Sequence, residues 1–168
     1  MRKSQKQAGV GLIEILISVV ILSIGFLAAA RMQVEGMRSS QSAYHRSQAY
    51  FLASDIIDRM RANAVGVRAG AYDGAGTAAG LVPPDCGGAG CSPDQIARRD
   101  VAEWSRALHP EGAAGGAVPA LPSGPGIDAR GTIAAVGDDA YTVTMVWAET
   151  VGDEVLEESL SLSFVGQS

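Results

Sequence analysis

Few side chains in this 168-residue sequence have types and spacing suited to chemistry, and Glu14 is the most unusual of them. It precedes an apolar run, and no residue from Ile15 to Ala30 is charged. A carboxylate in hydrocarbon costs roughly 2.5–3.5 kcal/mol on insertion scales, so a cationic partner is expected for it. Glu14 is therefore a candidate binding residue; the alternative is an interfacial glutamate without a partner.

The second candidate is the cysteine pair Cys86 and Cys91, which are separated by four residues, three of them glycine. Two cysteines in a chain that is sent across a membrane favour a disulfide. A metal site is the alternative, but it needs two further ligands, and the two histidines, His45 and His109, are not at a spacing typical of zinc sites.

The sequence contains no pattern typical of a catalytic site. It has no nucleophile motif, no phosphate-binding glycine pattern after a strand and no cluster of histidines and acids. The adjacent acids of Asp138-Asp139 and Glu157-Glu158 indicate solvated charge, with calcium binding as the alternative. A net charge of −5 argues against a nucleic-acid partner. We therefore expect no enzymatic activity, cofactor or metal.

The element that must position Glu14 is the apolar run itself. From Val10 to Ala30 it has about the 20 residues that a helix needs to cross a bilayer. Arg2, Lys3 and Lys6 precede it, and this charge bias predicts a cytoplasmic N-terminus with the remainder of the chain outside the inner membrane.

Three interpretations of this segment are open. It is a secretory signal peptide cut after the small residues Ala28 to Ala30, an anchor that is never cut, or a short basic leader cut after Gly9. In the third case Val10 becomes the N-terminus and Glu14 becomes its fifth residue.

The helix is predicted to continue well past the apolar run, from about Gly11 to about Ala62, a length on the order of 75 Å. There is no proline from Arg31 to Asn63, and apolar residues recur at helical spacing. The predicted buried face consists of Met37, Tyr44, Leu52, Ile56 and Met60. The charged residues Asp55, Asp58, Arg59 and Arg61 are predicted to form a solvated face with weak ion pairs.

Two glycine- and alanine-rich stretches, residues 64–85 and 111–126, are predicted to be loops with little core of their own. Between them, Ser92 begins a capped helix that ends at Pro110. The buried face of that helix is predicted to contain Ala97, Val101, Trp104 and Leu108.

The C-terminal part of the chain alternates between apolar and polar residues, which is typical of half-buried strands. A strand at Gly131–Val136 is expected to precede an antiparallel hairpin whose turn lies at residues 150–153. One face of the hairpin carries Tyr141, Val143, Met145, Trp147, Leu156, Leu160, Leu162 and Phe164.

The stretch GVGLIEILISVVIL, residues 9–22, resembles the class III leader of type IV pilins and of type II secretion pseudopilins. The resemblance implies that a prepilin peptidase cuts after Gly9 and methylates the amine of Val10, where phenylalanine is usual. It also implies that Glu14 pairs with the terminal amine of a neighbouring subunit in a helical bundle.

More narrowly, the chain resembles the PilV group of minor pilins, the type IV pilus modification proteins. The resemblance rests on LIEILISVVILSIGFLAAARMQ, CSPDQIARRDVAEW, LPSGPGI and YTVTMVWAET, in this order. It implies an α+β pilin-like fold, in which a long N-terminal helix lies on a small antiparallel sheet beside a short second helix and Gly/Ala-rich loops. The expected parts are a leader (1–9), a membrane or filament-core half-helix (10–30), an outer half-helix (31–63) and a periplasmic head (64–168).

The implied function is that of a minor pilin that primes pilus assembly in a tip complex and supports twitching motility and adhesion. Its implied partners are other minor pilins, the major pilin, the prepilin peptidase and a large tip adhesin. The implied location is the inner membrane, through a single span, and then the pilus tip at the cell surface. A minor pseudopilin of a type II secretion system and a free periplasmic enzyme or binding protein are the alternatives.

Overall fold

The computed structural model describes residues 11–110, 118–137, 140–152 and 154–166. It contains, in chain order, helix α1 (Leu12–Ala62), helix α2 (Ala64–Arg68), a 3-10 turn (Gly87–Ala89), helix α3 (Pro93–Leu108) and strands β1 (Arg130–Gly137), β2 (Ala140–Val151) and β3 (Glu154–Val165). The chain divides into two compact units, Met1–Gln41 and Ser42–Ser168, and α1 contributes to both. The predicted α+β fold class is confirmed.

Only the last part of α1 has the buried face that the sequence predicts. Ile56 and Met60 are fully buried and Leu52 is partly buried, but Met37 and Tyr44 are 73% and 58% exposed. The prediction for Met37 and Tyr44 is therefore wrong. In the second unit burial of α1 begins at Ala49, the first buried residue of the helix, so the core starts later than the apolar spacing suggests.

The sheet is antiparallel with the strand order β1-β2-β3, so β2 lies in the centre. The inward-facing side chains of β2 are buried as predicted, and those of Val143 and Met145 are fully buried. On β3 the predicted burial is only partly correct, because Phe164 is buried whereas Leu156 is 43% exposed. The reason is that β3 is an edge strand, with a neighbour on one side only among the described residues.

The prediction that residues 64–85 contribute little core is wrong. Val67 on α2 and Tyr72 after it are both buried. Further on, the backbone of this stretch lies along β1, since Ile133 donates to the carbonyl of Ala75 at 2.7 Å and Thr77 donates to that of Gly131 at 2.9 Å. A stretch rich in glycine and alanine can lie this close to a strand because few of its side chains intervene.

The second predicted loop is also partly buried. Within its described part, Leu121 is fully buried and the carbonyl of Pro122 accepts a hydrogen bond from Ala148 at 2.9 Å. Gly124 and Ile127 exchange backbone hydrogen bonds around a tight turn and place the turn on Ala148 of β2. Residues 111–117, which the prediction also covers, lie outside the described residues.

The side chain of Trp104, on α3, contacts both α1 and β1. It is 1% exposed, and its indole Nε1 donates to the carbonyl of Leu52 on α1 at 3.0 Å. Its six-membered ring lies directly against Gly131 of β1, where a Cβ would overlap the ring. Trp104 is thus a core side chain between α1, α3 and the sheet, as the sequence indicated.

We therefore expect Gly131→Ala to destabilise the protein by roughly 1–3 kcal/mol, because the added methyl group forces the indole out of its position. Gly137→Ala on the same strand is the matched control, because the nearest atom to its Cβ would be Ala140 Cβ at 3.9 Å. Chemical unfolding of the full chain in detergent micelles, followed by tryptophan fluorescence, measures both changes. Equal stability of the two variants would contradict the close contact.

Candidate functional site

In the first unit, α1 is an uncovered apolar helix. Every described residue from Gly11 to Gln41 is exposed, including Leu16, Ile21 and Phe26 at 60% or more. By length and composition this helix can cross a membrane, and none of its apolar window is buried by the protein. Water-exposed apolar surface of this extent requires lipid or other apolar helices around it.

The polar atoms within the apolar segment are already satisfied. Ser18 Oγ donates to the carbonyl of Glu14 at 2.7 Å, and Ser23 Oγ donates to that of Val19 at 2.7 Å. Serine hydroxyls bonded one turn back along a helix do not need water. The two serines therefore do not prevent the segment from entering a bilayer or a helical bundle.

Glu14 is the exception, since it lies in the first turn of α1 with its side chain exposed. The first turn forms around Gly11, whose carbonyl accepts hydrogen bonds from the N–H groups of Glu14 at 2.9 Å and Ile15 at 3.3 Å. An acid at this position is favoured by the helix dipole, by a few tenths to about 1 kcal/mol. Gly9 and Val10, the predicted cleavage site, lie outside the described residues.

The second unit contains a polar network that the sequence did not reveal. Arg59 on α1 bonds to Asp55 at 3.0 Å, to Glu103 on α3 at 2.7 Å and approaches Asp100 at 3.7 Å. The prediction of a solvated face is thus wrong for Arg59, which joins two helices. The hydrogen bond to Glu103 raises the pKa of Arg59, and the same bond lowers the pKa of Glu103.

Tyr72 and Asn63 continue this network into the core. Tyr72 Oη donates to Asp100 Oδ2 at 2.6 Å and accepts from Asn63 Nδ2 at 3.1 Å. Burial, followed by the hydrogen bond to Asp100, raises the pKa of Tyr72 far above its ordinary value. The phenol therefore remains protonated and acts as a hydrogen-bond donor.

Asn63 occupies the point where three elements meet. Its Oδ1 caps α2 by accepting from Gly66 N at 3.3 Å, and its Nδ2 donates to the carbonyl of Pro93 at the start of α3 at 2.8 Å. Asn63 directly follows α1 and was not identified from sequence. An asparagine between two helical segments is the one sequence signal that could have marked it as a cap.

Cys86 and Cys91 form a disulfide immediately before α3. Two glycines of the enclosed loop, Gly87 and Gly90, have φ of 57° and 84°, which favours glycine at both positions. The predicted capping box follows, in which Ser92 Oγ accepts from Gln95 N at 3.3 Å and Gln95 Oε1 accepts from Ser92 N at 2.9 Å. The start of α3 is therefore fixed by a covalent loop and a reciprocal cap.

The polar network of the second unit connects its elements. The network joins helices through filled hydrogen bonds, and no group of three potential metal ligands occurs in the described part of the chain. What the molecule offers functionally is an uncovered apolar helix with one carboxylate, attached to a small folded head.

Comparison with known proteins gives two adjoining matches. Residues 4–30 match the prokaryotic N-terminal methylation motif, and residues 31–102 match the Tt1218-like family, which is described as type IV pilin Tt1218. Together the matches include the leader, α1, α2, the disulfide and much of α3. No curated protein and no solved structure matches the chain.

We expect Arg59→Met to destabilise the protein by roughly 1–3 kcal/mol, because it leaves the largely buried Asp100 without its cation. Arg98→Met is the matched control, since Arg98 is 71% exposed and pairs with Asp94 one turn earlier on the same helix. Urea unfolding of the full chain in micelles measures both. A loss no greater than that of the control would show that the network contributes no net stability.

We also expect the difference in stability between wild type and Arg59→Met to depend on pH. The pKa of Glu103 is lowered in the folded protein, so its stabilisation is present above its ordinary value of 4.5 and is lost as the pH falls through the lower folded value. Unfolding at pH 7 and pH 3 should therefore show a smaller difference between wild type and Arg59→Met at pH 3. A difference that is constant with pH would contradict the role of Glu103.

Proposed function

We propose that this chain is a type IV pilin, and more narrowly a minor pilin of the PilV group, which primes pilus assembly as part of a tip complex. The matches of residues 31–102 to a type IV pilin family and of residues 4–30 to the N-terminal methylation motif support the proposal. The observation that carries the proposal is the uncovered apolar half of α1 with Glu14 in its first turn. We propose a structural role and no enzymatic activity.

The apolar half of α1 accounts for both stages of such a function. In the inner membrane, lipid covers its exposed side chains, and in a filament the helices of other pilins cover them. When the helix leaves the lipid for a filament, the carboxylate of Glu14 is buried without a partner unless a cation lies beside it. The α-amine created by cleavage after Gly9 is a suitable cation, because it lies at the same end of a neighbouring helix.

The narrower assignment to the PilV group is supported by the order of its sequence pieces, each of which forms a distinct structural unit. The piece CSPDQIARRDVAEW begins at the disulfide and forms most of capped α3. The piece LPSGPGI forms the tight turn that lies on β2. The proposed partners are other minor pilins, the major pilin and a tip adhesin, and the proposed final location is the pilus tip.

A minor pseudopilin of a type II secretion system would have the same leader and the same α1. Gene deletion separates the two functions. We expect loss of surface pili and of twitching motility, with secretion of exported enzymes unchanged, and recovery when the gene is restored. Lost enzyme secretion with normal twitching would overturn the assignment to a pilus.

Glu14→Ala should be processed normally but should fail to restore piliation in the deletion strain. The cleaved chain, beginning at Val10, is identified by intact mass after purification from membranes. Glu35→Ala removes an exposed acid of the same helix beyond the apolar run and should restore piliation fully. Normal piliation with Glu14→Ala would refute the pairing role, and a chain that begins at Arg31 would refute the whole proposal.

A further inference from the structure

The two edges of the sheet differ in how they are covered. Beside β1, the chain from Ala75 to Thr77 makes backbone hydrogen bonds with Gly131 and Ile133. Beside β3, no backbone hydrogen bond or β-bridge from another segment occurs among the described residues. The outward N–H and C=O groups of β3 therefore have no protein partner within the described chain.

The edge of β3 is long and regular, and charged side chains are the feature on it that restricts strand addition. Its pairing with β2 is continuous over twelve residues, from Glu154 to Val165, without a bulge. The strand contains no proline, glycine or lysine. Such an edge is a template for another strand, and its three glutamates limit it to a partner that neutralises them.

Apolar side chains along the same edge are incompletely buried. Leu160 and Leu162 contact the core but are only partly buried, and Leu156 on the same face of β3 is 43% exposed. An added strand would place its inward side chains beside these residues and extend the core. Apolar residues at every second position of the partner segment fit this face.

Charge along the edge is divided between its two halves. Residues 154–158 contain Glu154, Glu157 and Glu158, whereas residues 159–165 are uncharged. The ion pairs to Arg46 at 3.4 Å and Arg130 at 3.2 Å are exposed and offset two of the three acids. A partner with basic residues opposite the acidic half complements this pattern.

A second copy of this chain does not supply the complementary charge. Its own edge strand, residues 154–165, contains three acids and no basic residue. A second β3 would therefore leave the acidic half of the edge without a basic partner.

We propose that the free edge of β3 accepts an extended segment of another protein, with apolar residues at alternate positions and basic residues opposite Glu154, Glu157 and Glu158. Antiparallel addition is the more stable geometry, and it places the basic residues in the C-terminal half of the segment. The edge site and the exclusion of a second copy both follow from the sheet and from the charges of β3, and neither depends on the proposed function.

The test uses the full chain in detergent micelles and a strand-length peptide of alternating valine and threonine with two lysines in its C-terminal half. Amide hydrogen exchange is followed by NMR. At ten times Kd, exchange of alternate amides of β3 should slow roughly tenfold. A peptide with glutamates in place of the lysines, and one with alternate amides N-methylated, should bind on the order of tenfold more weakly.

Variants of the protein locate the site. Ser159→Lys places a positive charge on exposed β3 and should weaken binding of the lysine peptide about threefold to fivefold. Val136→Lys, at a residue of β1 that is 61% exposed, is the matched control and should leave binding unchanged.

Unchanged exchange at β3, protection along β1, or equal binding of the lysine and glutamate peptides would each overturn the proposal. Protection of β3 in the free protein that rises with protein concentration would show that a second copy occupies the edge. Because this assay needs neither cleavage nor pili, its outcome is independent of the experiments on pilus function.

Discussion

A guanidinium with only 32% of its side-chain surface exposed needs carboxylates around it, and Arg59 obtains two of its three from another helix. This requirement determines where α3 lies against α1. With Asp100 in this position, the buried hydroxyl of Tyr72 has a hydrogen-bond acceptor. Tyr72 lies in the segment between the helices, so this bond keeps part of that segment in the core. The charge of Arg59 and the core side chain of Trp104 thus connect the same two helices, α1 and α3.

Elements whose causes are local in sequence could be predicted well. The cap of α3 needs only Ser92 and Gln95, three residues apart, and both of its hydrogen bonds are present. The alternation in β2 and the start of β1 are likewise local patterns, and the disulfide joins cysteines five positions apart. Trp104 was predicted to be buried because its own helix is amphipathic.

Features that depend on distant partners could not be predicted. Arg59 looked like a member of a solvated face because Asp55 lies one turn away, and nothing local indicates that Glu103 lies opposite. The glycine-rich stretch looked like a loop because its core contribution comes mainly from two large side chains, Val67 and Tyr72, among many small residues. For Glu14 the limit is of another kind, since its partner is expected on a different molecule.

The attachment of the head to α1 has a mechanical consequence. The hydrogen bond from Trp104 to the carbonyl of Leu52 and the ion pairs of Arg59 lie two turns apart on α1, and the bond from Asn63 to Pro93 lies directly after the end of the helix. A force that pulls on the helix along its axis therefore shears these contacts simultaneously and does not peel them apart in turn. Such an arrangement shares the load among several bonds, so the head can stay folded on a helix under tension even though each contact is individually weak.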